Sequence, residues 1–255
     1  MSRSSMFSKP SPARVLSRAA PEPRWRPGLP AQPFHSEIFA PGGEASGAGL
    51  ALALARDALL SAAEEDADTR QVLWVQDAKA IRLGGRPCLV GLPSDLRHRL
   101  IHVAAATPED ALFALEEGMK CRDLSCVIGE IAGNPKALSF TASRRLSLTA
   151  ERHGVRLWLV RLDAEPELSS ARMRWQARAA PSPAPRWNAA APGTATWHAE
   201  LFRARTHAPG EWMLSDDTGT LRIRRDPDAD VLAAPDHVRL ARETVGRSLA
   251  AVARA

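Results

Sequence analysis

The residues whose types and spacing suggest chemistry lie in a glycine-rich turn that follows the first apolar segment. Gly42 and Gly47 form the pattern G-x-x-x-x-G, between the short segment Glu37-Ile38-Phe39 and an Ala/Leu-rich stretch that runs to Leu60. A strand that enters a glycine turn and then a helix is the layout of a phosphate-binding loop, in which backbone N–H groups bind phosphate oxygens. The turn is therefore the first candidate site.

The two positions that would supply the chemistry of such a loop carry other residues. A working loop continues with Lys, which neutralises phosphate charge, and with Ser or Thr, whose hydroxyl ligates Mg²⁺. Those positions are Ala48 and Gly49 here, so we interpret the loop as degenerate and expect a protein without catalysis, cofactor or metal. An ordinary Gly/Ala/Ser turn stays open as an alternative, because the motif alone is weak. The candidate loop residues are Gly42, Gly43, Ser46, Gly47, Ala48 and Gly49.

The composition indicates a mildly basic chain with enough apolar residues for a sizeable core. Of the 255 residues 45% are hydrophobic, and the net charge of +5 permits contact with nucleic acid without proving it. No run approaches the roughly 18 apolar residues of a membrane span, and residues 1–33 contain no apolar segment typical of a secretory signal. Cys88, Cys121 and Cys126 lack metal-ligand spacing and fit reduced thiols. We expect a cytoplasmic protein.

The chain divides into an arm, a core and a terminal helix. Residues 1–35, rich in Ser, Pro and Arg, predict a flexible basic arm, and residues 36–230 predict the core. Residues 231–255 contain an amphipathic pattern that predicts a last helix and a candidate partner-binding segment. The apolar residues on its predicted binding face are Val238, Val245, Leu249 and Val252.

Strand and helix patterns alternate within the core, which is typical of an α/β domain with a mostly parallel sheet. Strands are predicted at 38–41, 71–77, 100–104, 125–130 and 155–161, and helices at 49–60, 93–99, 107–120 and 141–153. Residues 78–87 are predicted to form an irregular connection. Period-two segments at 173–179, 196–205, 211–216 and 221–224 are interpreted as antiparallel strands that extend the sheet.

The order of these segments resembles the RecA core. Residues 37–49 resemble its first strand and phosphate loop, and residues 126–130 resemble its Walker B strand, with Glu130 at the place of the Mg-linked acid. Residues 157–161 resemble the strand that senses the γ-phosphate, and Lys79 falls near the place of the catalytic acid. The resemblance implies a RecA-like, mostly parallel sheet flanked by helices and extended by antiparallel strands near the C-terminus.

Within that superfamily the chain resembles the ImuA family, a SulA-related, RecA-like group. The stretches that carry the resemblance are 111–118, 127–130, 143–151, 174–175 with 182–183, and 209–212. The resemblance spans roughly residues 36–225 and implies a non-catalytic accessory protein of damage-induced mutagenesis, that is, of translesion DNA synthesis in the SOS response. The implied partners are RecA and ImuB, a catalytically inactive Y-family polymerase relative, and indirectly an error-prone C-family polymerase. The implied location is cytoplasmic, with association to the nucleoid on DNA damage.

Two other functions stay open from the sequence. One is a weak DNA-dependent ATPase of the RecA superfamily that uses Lys79 as a displaced lysine, and the other is a SulA-like cell-division inhibitor that binds the tubulin-like FtsZ. Direct DNA contact is also open. Asp163, Glu165 and Glu167 lie where a DNA-binding loop would fall, and their negative charge disfavours binding of the phosphate backbone. Candidate basic surface is offered by Arg144, Arg145, Arg152, Arg172, Arg174, Arg178, Arg222, Arg224 and Arg225. We expect Trp158, Trp175, Trp197 and Trp212 to be core or sheet residues rather than base-stacking platforms.

Overall fold

The computed structural model describes residues 23–29, 32–62, 68–185, 187–188, 190–217 and 219–224. Within these residues a single sheet carries all the strands, and helices lie on its faces. The strands are β1 (His35–Ala40), β2 (Gln71–Asp77), β3 (Leu100–Ala105), β4 (Leu124–Ala132), β5 (Arg156–Leu162), β6 (Met173–Ala179), β7 (Thr196–Ala204), β8 (Gly210–Asp217) and β9 (Thr220–Arg224). The α-helices are α1 (Ser46–Ala62), α2 (Ala78–Gly84), α3 (Pro108–Lys120) and α4 (Phe140–His153).

The sheet has the strand order β3-β2-β4-β5-β1-β6-β7-β8-β9. Every pair from β3 to β6 is parallel, and the pairs from β6 to β9 are antiparallel. The predicted α/β class, with a mostly parallel sheet and antiparallel strands near the C-terminus, is confirmed. One pairing corrects the prediction, because β6 runs parallel to β1, with Ile38 opposite Trp175.

The sheet separates two apolar cores. One core lies under α1 and α2, and the other lies between the sheet and α3 and α4. Strands covered on both faces have continuous apolar runs, as residues 157–160 of β5 show. The first core holds the predicted strand tryptophans, which are all buried and therefore confirm that expectation: Trp158, Trp175, Trp197 and Trp212.

Several helix ends follow from local side chains. The Thr107 hydroxyl accepts a hydrogen bond from the Asp110 N–H group at 3.1 Å, which caps the start of α3 as predicted. Helix α4 ends at Gly154, whose φ of 72° lies in the left-handed region that glycine adopts at helix ends. These local signals explain why both helices were predictable.

Other predicted boundaries are wrong. Residues 78–87 contain α2, which begins where Asp77 Oδ1 accepts the Ala80 N–H group at 2.6 Å. Residues 93–99 form turns rather than a helix, and α1 begins at Ser46 rather than at residue 49. Elements of one or two turns contain too few residues for a hydrophobic period to distinguish them from loops.

Part of the predicted N-terminal arm packs on the core. Trp25 is 1% exposed, and its ring lies edge-on to Trp175 and Trp212, with centroids 4.8 and 5.4 Å apart. The arm boundary at residue 35 is therefore too late, since residues 23–29 belong to the folded core. A lone aromatic residue in a polar stretch shows no periodicity, which is why the sequence does not indicate this packing.

The predicted C-terminal helix at 231–255, with Val238, Val245, Leu249 and Val252, lies outside the described residues. Within the described ranges no helix is long and apolar enough to cross a membrane.

Candidate functional site

The glycine-rich loop lies at the carboxyl end of β1, near the middle of the sheet. Strand β1 ends at Ala40, and α1 begins at Ser46, so the turn spans residues 41–45. β1 pairs with β5 on one side and with β6 on the other. The chain after β1 leads to β2, on the β5 side, whereas the chain after β5 leads to β6, on the opposite side. Ligands of open α/β sheets bind at such a place, where the strand order reverses. The loop therefore has the position expected of a phosphate site.

Asp163, in the loop after β5, binds a backbone N–H group of the glycine-rich loop. Asp163 Oδ1 accepts a hydrogen bond from the Gly42 N–H group at 2.7 Å, and the Asp163 N–H group donates to the Ala40 carbonyl at 3.0 Å. Asp163 adopts a φ of 48°, a left-handed conformation that Asp tolerates better than most residues. The N–H group of Gly42 is thus already bound to a carboxylate of the same chain.

Contacts around Gly42 leave little space beside this hydrogen bond. A Cβ atom added at Gly42 would lie 2.5 Å from Asp163 Oδ2 and 2.9 Å from Leu83 Cδ1 of α2. The residue is glycine because two neighbouring segments approach its backbone closely. This packing explains the first glycine of the motif without a bound phosphate.

The later glycines of the motif also have packing reasons. A Cβ atom at Gly47 would lie 2.8 Å from both Ala40 Cβ and Val160 Cγ1, because α1 crosses close to the sheet. A Cβ atom at Gly49 would lie 3.0 Å from the indole ring of Trp197 on β7. The glycine spacing therefore follows from how closely α1 approaches the sheet.

The remaining loop residues differ in their surroundings. Ser46 is buried, and its hydroxyl has no hydrogen-bond partner among the described residues. Ala48 packs half-buried against the core, and Gly43 is exposed with no atom within 4 Å of an added Cβ. Glu44 Oε2 accepts the Ala179 N–H group at 2.8 Å, which joins the loop to the end of β6. The charged groups bonded to this loop are thus carboxylates, which repel phosphate.

The predicted Walker B acid, Glu130, is buried in the sheet and accepts hydrogen bonds from the neighbouring strand. It is 3% exposed, and its Oε1 accepts hydrogen bonds from Trp74 Nε1 at 2.6 Å and Gln76 Nε2 at 3.1 Å, both on β2. Burial raises the pKa of Glu130, and the two hydrogen bonds partly offset that effect. Strand β4 continues past Glu130 to Ala132, which corrects the predicted strand end. The carboxylate lies inside a covered face of the sheet.

Lys79, the predicted displaced lysine, lies on α2, and its side chain reaches the loop after β4. Its Nζ atom is 3.1 Å from the position of a Cβ added at Gly133. It lines an open cavity of about 410 Å³ together with Arg82 and Asn134, at the carboxyl ends of β2 and β4. The nearest neighbours of Gly42 are instead Asp163 and Leu83.

A buried charged cluster on β1, β5 and β6 was not predicted. Arg174 Nε donates to Glu37 Oε2 at 2.8 Å, with side chains 5% and 1% exposed. The guanidinium groups of Arg174 and Arg161 lie 5.0 and 5.6 Å from the ring centre of Phe39. Arg174, a candidate for basic surface in the sequence, is therefore a buried and paired arginine. The available signal was the alternation of His35, Glu37 and Phe39, which share one face of β1.

Arg161, the last polar residue of β5, is held by this cluster and by the loop after β4. Its Nη2 atom donates to the Gly133 carbonyl at 3.0 Å, and burial lowers its pKa. In the RecA-like interpretation this side chain stands where a γ-phosphate sensor would be. Its described contacts are a backbone carbonyl and an aromatic ring.

The contacts described for these residues are hydrogen bonds, ion pairs and packing contacts within the fold. Among the described residues no group of three or more His, Cys, Asp or Glu side chains is placed to hold a metal ion. The chain matches no protein-family model and no curated protein. What the fold defines is an α/β protein with a mostly parallel sheet and a glycine loop whose Gly42 N–H group is bound by the Asp163 carboxylate.

Proposed function

We propose that this protein is a non-catalytic, RecA-like accessory protein of damage-induced mutagenesis, similar to the ImuA family. The observation that supports the non-catalytic part is the hydrogen bond from the Gly42 N–H group to Asp163. The family part is supported by the order of segments, in which a strand and glycine loop precede parallel strands and a late antiparallel group.

The absence of hydrolysis follows from the three needs of phosphoryl transfer. Phosphate charge must be neutralised, a metal must be held, and an acid must position water. Ala48 and Gly49 supply neither the cation nor the metal-binding hydroxyl. Glu130, the matched acid, accepts two hydrogen bonds from β2 and is buried. A phosphate that bound the Gly42 N–H group would also have to displace Asp163.

The protein acts in this proposal by binding partners. The proposed partners are an ImuB-like relative of the Y-family polymerases and RecA, with an error-prone C-family polymerase reached through the former. The proposed contact segment is 231–255, whose apolar positions would share one face of the predicted helix. Association with the nucleoid after DNA damage would follow from these partners.

Co-purification from DNA-damaged cells tests the partner assignment. We expect the full chain to retain an ImuB-like protein and RecA, and a variant without residues 236–255 to lose the ImuB-like protein. A matched control replaces Arg239 and Arg247 by Ser, which changes the same segment outside its apolar face. Recovery of FtsZ in place of both partners would favour the SulA-like function, and unchanged binding after the deletion would remove the contact segment.

Phosphate release by the purified protein tests the ATPase alternative. We expect release at the background rate with ATP and Mg²⁺, with or without single-stranded DNA. DNA-stimulated release that disappears in a Lys79→Ala variant, but not in an Arg82→Ala variant, would overturn the proposal and support a displaced lysine.

A further inference from the structure

A groove rich in arginine lies between α4, residues 168–172 and the end of β7. We call it the arginine groove, and its volume is about 550 Å³. Its exposed apolar side chains are Phe140, Leu148 and Leu168, which are 41%, 54% and 67% exposed. Its arginines are Arg144, Arg172, Arg203 and Arg205. Apolar and cationic groups therefore share one concave surface.

The positive charge of the groove is mostly uncompensated. Arg172 Nε donates to Glu151 Oε1 at 2.6 Å, so this arginine is paired. In the part of the chain that the structure describes, no acid lies within ion-pair distance of Arg144, Arg203 or Arg205. Such a surface fits an acidic segment that also carries apolar side chains.

Hydrogen bonds among serines fix the wall of the groove. Ser147 Oγ and Ser170 Oγ lie 2.6 Å apart, and the Ser170 N–H group donates to Ser143 Oγ at 3.0 Å. These bonds join residues 168–172 to α4. A surface that is already ordered loses little conformational entropy when a segment binds to it.

The chain itself contains a segment with the required chemistry. Residues 226–236 read Asp-Pro-Asp-Ala-Asp-Val-Leu-Ala-Ala-Pro-Asp and contain no basic residue. The acids are Asp226, Asp228, Asp230 and Asp236, and the larger apolar residues are Val231 and Leu232. The segment begins two residues after β9, at the end of the described chain.

The geometry lets this segment reach the groove. β7 and β9 are both antiparallel to β8, so they run in the same direction. Arg224 lies opposite Met213, and Met213 lies opposite His198, so β9 ends seven residues short of Arg205 along the sheet. This offset of about 23 Å and the two strand spacings of about 10 Å across the sheet give a separation of about 25 Å. Eleven extended residues span up to about 36 Å, which covers this distance. Arg205, directly after β7, is thus within reach of a chain leaving Arg224.

We propose that residues 226–236 dock in the arginine groove of their own chain. Their aspartates pair with Arg144, Arg203 and Arg205, and Val231 and Leu232 contact the exposed leucines of the groove. Tethering to β9 gives the segment a high effective concentration, which a separate acidic partner or a nucleic acid lacks. The inference does not depend on the proposed function, whose apolar contact face begins at Val238, beyond the docked segment.

Disulfide trapping in the full chain tests this docking. Cys88 and Cys121, both exposed, are first replaced by Ser. Val231→Cys is then combined either with Leu168→Cys in the groove or with Leu60→Cys on α1. Leu60 is 59% exposed, and its helix contacts β9, so the α1 pair reports the rate that the tether gives without docking.

We expect the groove pair to form its intramolecular disulfide about tenfold faster than the α1 pair. Arg144→Glu with Arg203→Glu should reduce that rate to the α1 level. The matched reversal Arg152→Glu with Arg178→Glu, outside the groove, should leave it unchanged.

Three results would overturn the proposal. Equal rates for the two pairs, or a groove rate insensitive to the Arg144 and Arg203 reversal, would show that the segment does not dock there. Disulfides only between chains would assign the groove to a second copy. The groove would instead be assigned to nucleic acid by two results together. These are equal rates for the two pairs, and binding of oligothymidylate that the Arg144 and Arg203 reversal removes.

Discussion

Asp163 and Gly42, on the loops that follow β5 and β1, are joined by a hydrogen bond of 2.7 Å from the glycine N–H group to the aspartate Oδ1 atom. A carboxylate oxygen resembles a phosphate oxygen in charge and in its hydrogen-bond acceptors. The loop therefore binds an anion that belongs to its own chain, at the place where a phosphate-binding loop would hold a phosphate.

Removing this carboxylate should destabilise the protein. Asp163→Ala leaves the Gly42 N–H group unpaired, and we expect the free energy of unfolding to fall by about 1–2 kcal/mol. Asp163→Asn keeps the Oδ1 acceptor and tolerates the left-handed φ, so it should lose less than half as much. Urea denaturation of both variants measures the difference. An Asn variant as unstable as the Ala variant would contradict a role for this hydrogen bond.

Adding a methyl group at Gly47 should force α1 away from the sheet. The new Cβ atom would lie 2.8 Å from Ala40 Cβ and Val160 Cγ1, so Gly47→Ala should cost about 1–3 kcal/mol despite the better helix propensity of Ala. Gly43→Ala is the matched control, because nothing lies within 4 Å of its Cβ position and it should be nearly neutral. Thermal unfolding of both variants checks this, and equal melting temperatures would rule out the packing explanation.

Replacing Glu130 separates a structural acid from a catalytic one. Glu130→Gln keeps the Oε1 acceptor for Trp74 and Gln76 and removes a buried charge. Burial raises the folded-state pKa, so ionisation at pH 7 costs free energy, and we expect this variant to be at least as stable as wild type there. That difference should disappear below the ordinary pKa of 4.5, where both folded and unfolded carboxyls are protonated.

The Ala variant at the same position is its counterpart. Glu130→Ala leaves the Trp74 and Gln76 donors buried without an acceptor, and we expect a loss of about 2–4 kcal/mol. Chemical denaturation at pH 7 and pH 4 compares both substitutions. If Gln destabilises as much as Ala at pH 7, the ionised carboxylate itself contributes to the fold.

His35 should make stability depend on pH. Burial lowers its pKa from 6.5 to about 4, against the opposing charge of Glu37, with smaller contributions from Arg174 and Glu151. The folded state therefore favours neutral His35, so stability is lost as pH falls from 6.5 toward 4, by about 3 kcal/mol in full. Unfolding at pH 7 and pH 4.5 should show a smaller decrease in His35→Gln than in wild type. Parallel pH profiles would contradict the shifted histidine.

The partner of His35 provides a second check on this prediction. Its Nδ1 atom lies 2.7 Å from Ser147 Oγ, a hydrogen bond that does not require a charged ring. Ser147→Ala should therefore lower stability by about 1 kcal/mol at both pH values, without changing the pH dependence. A change in the slope would mean that the hydroxyl helps to set the pKa.

The sequence by itself determined the alternation of strands and helices, the position of the glycine turn and the presence of Ala48 and Gly49 where a phosphate loop carries Lys and Ser or Thr. These features are local, because a strand such as β2 or a capped helix such as α3 shows its period and its cap within a dozen residues. The C-cap at Gly154 and the burial of Trp175 were predictable for the same reason.

The tertiary structure alone decided what holds the glycine loop, which way β6 pairs and where Glu130 points. Gly42 and Asp163 are 121 residues apart, and Glu37 and Arg174 are 137 apart, so no local pattern connects them. Such pairs depend on the strand order, which brings β5 and β6 to either side of β1. The sequence shows that an acidic residue follows a strand, but it does not show whether the carboxylate contacts solvent, a metal or a backbone N–H group.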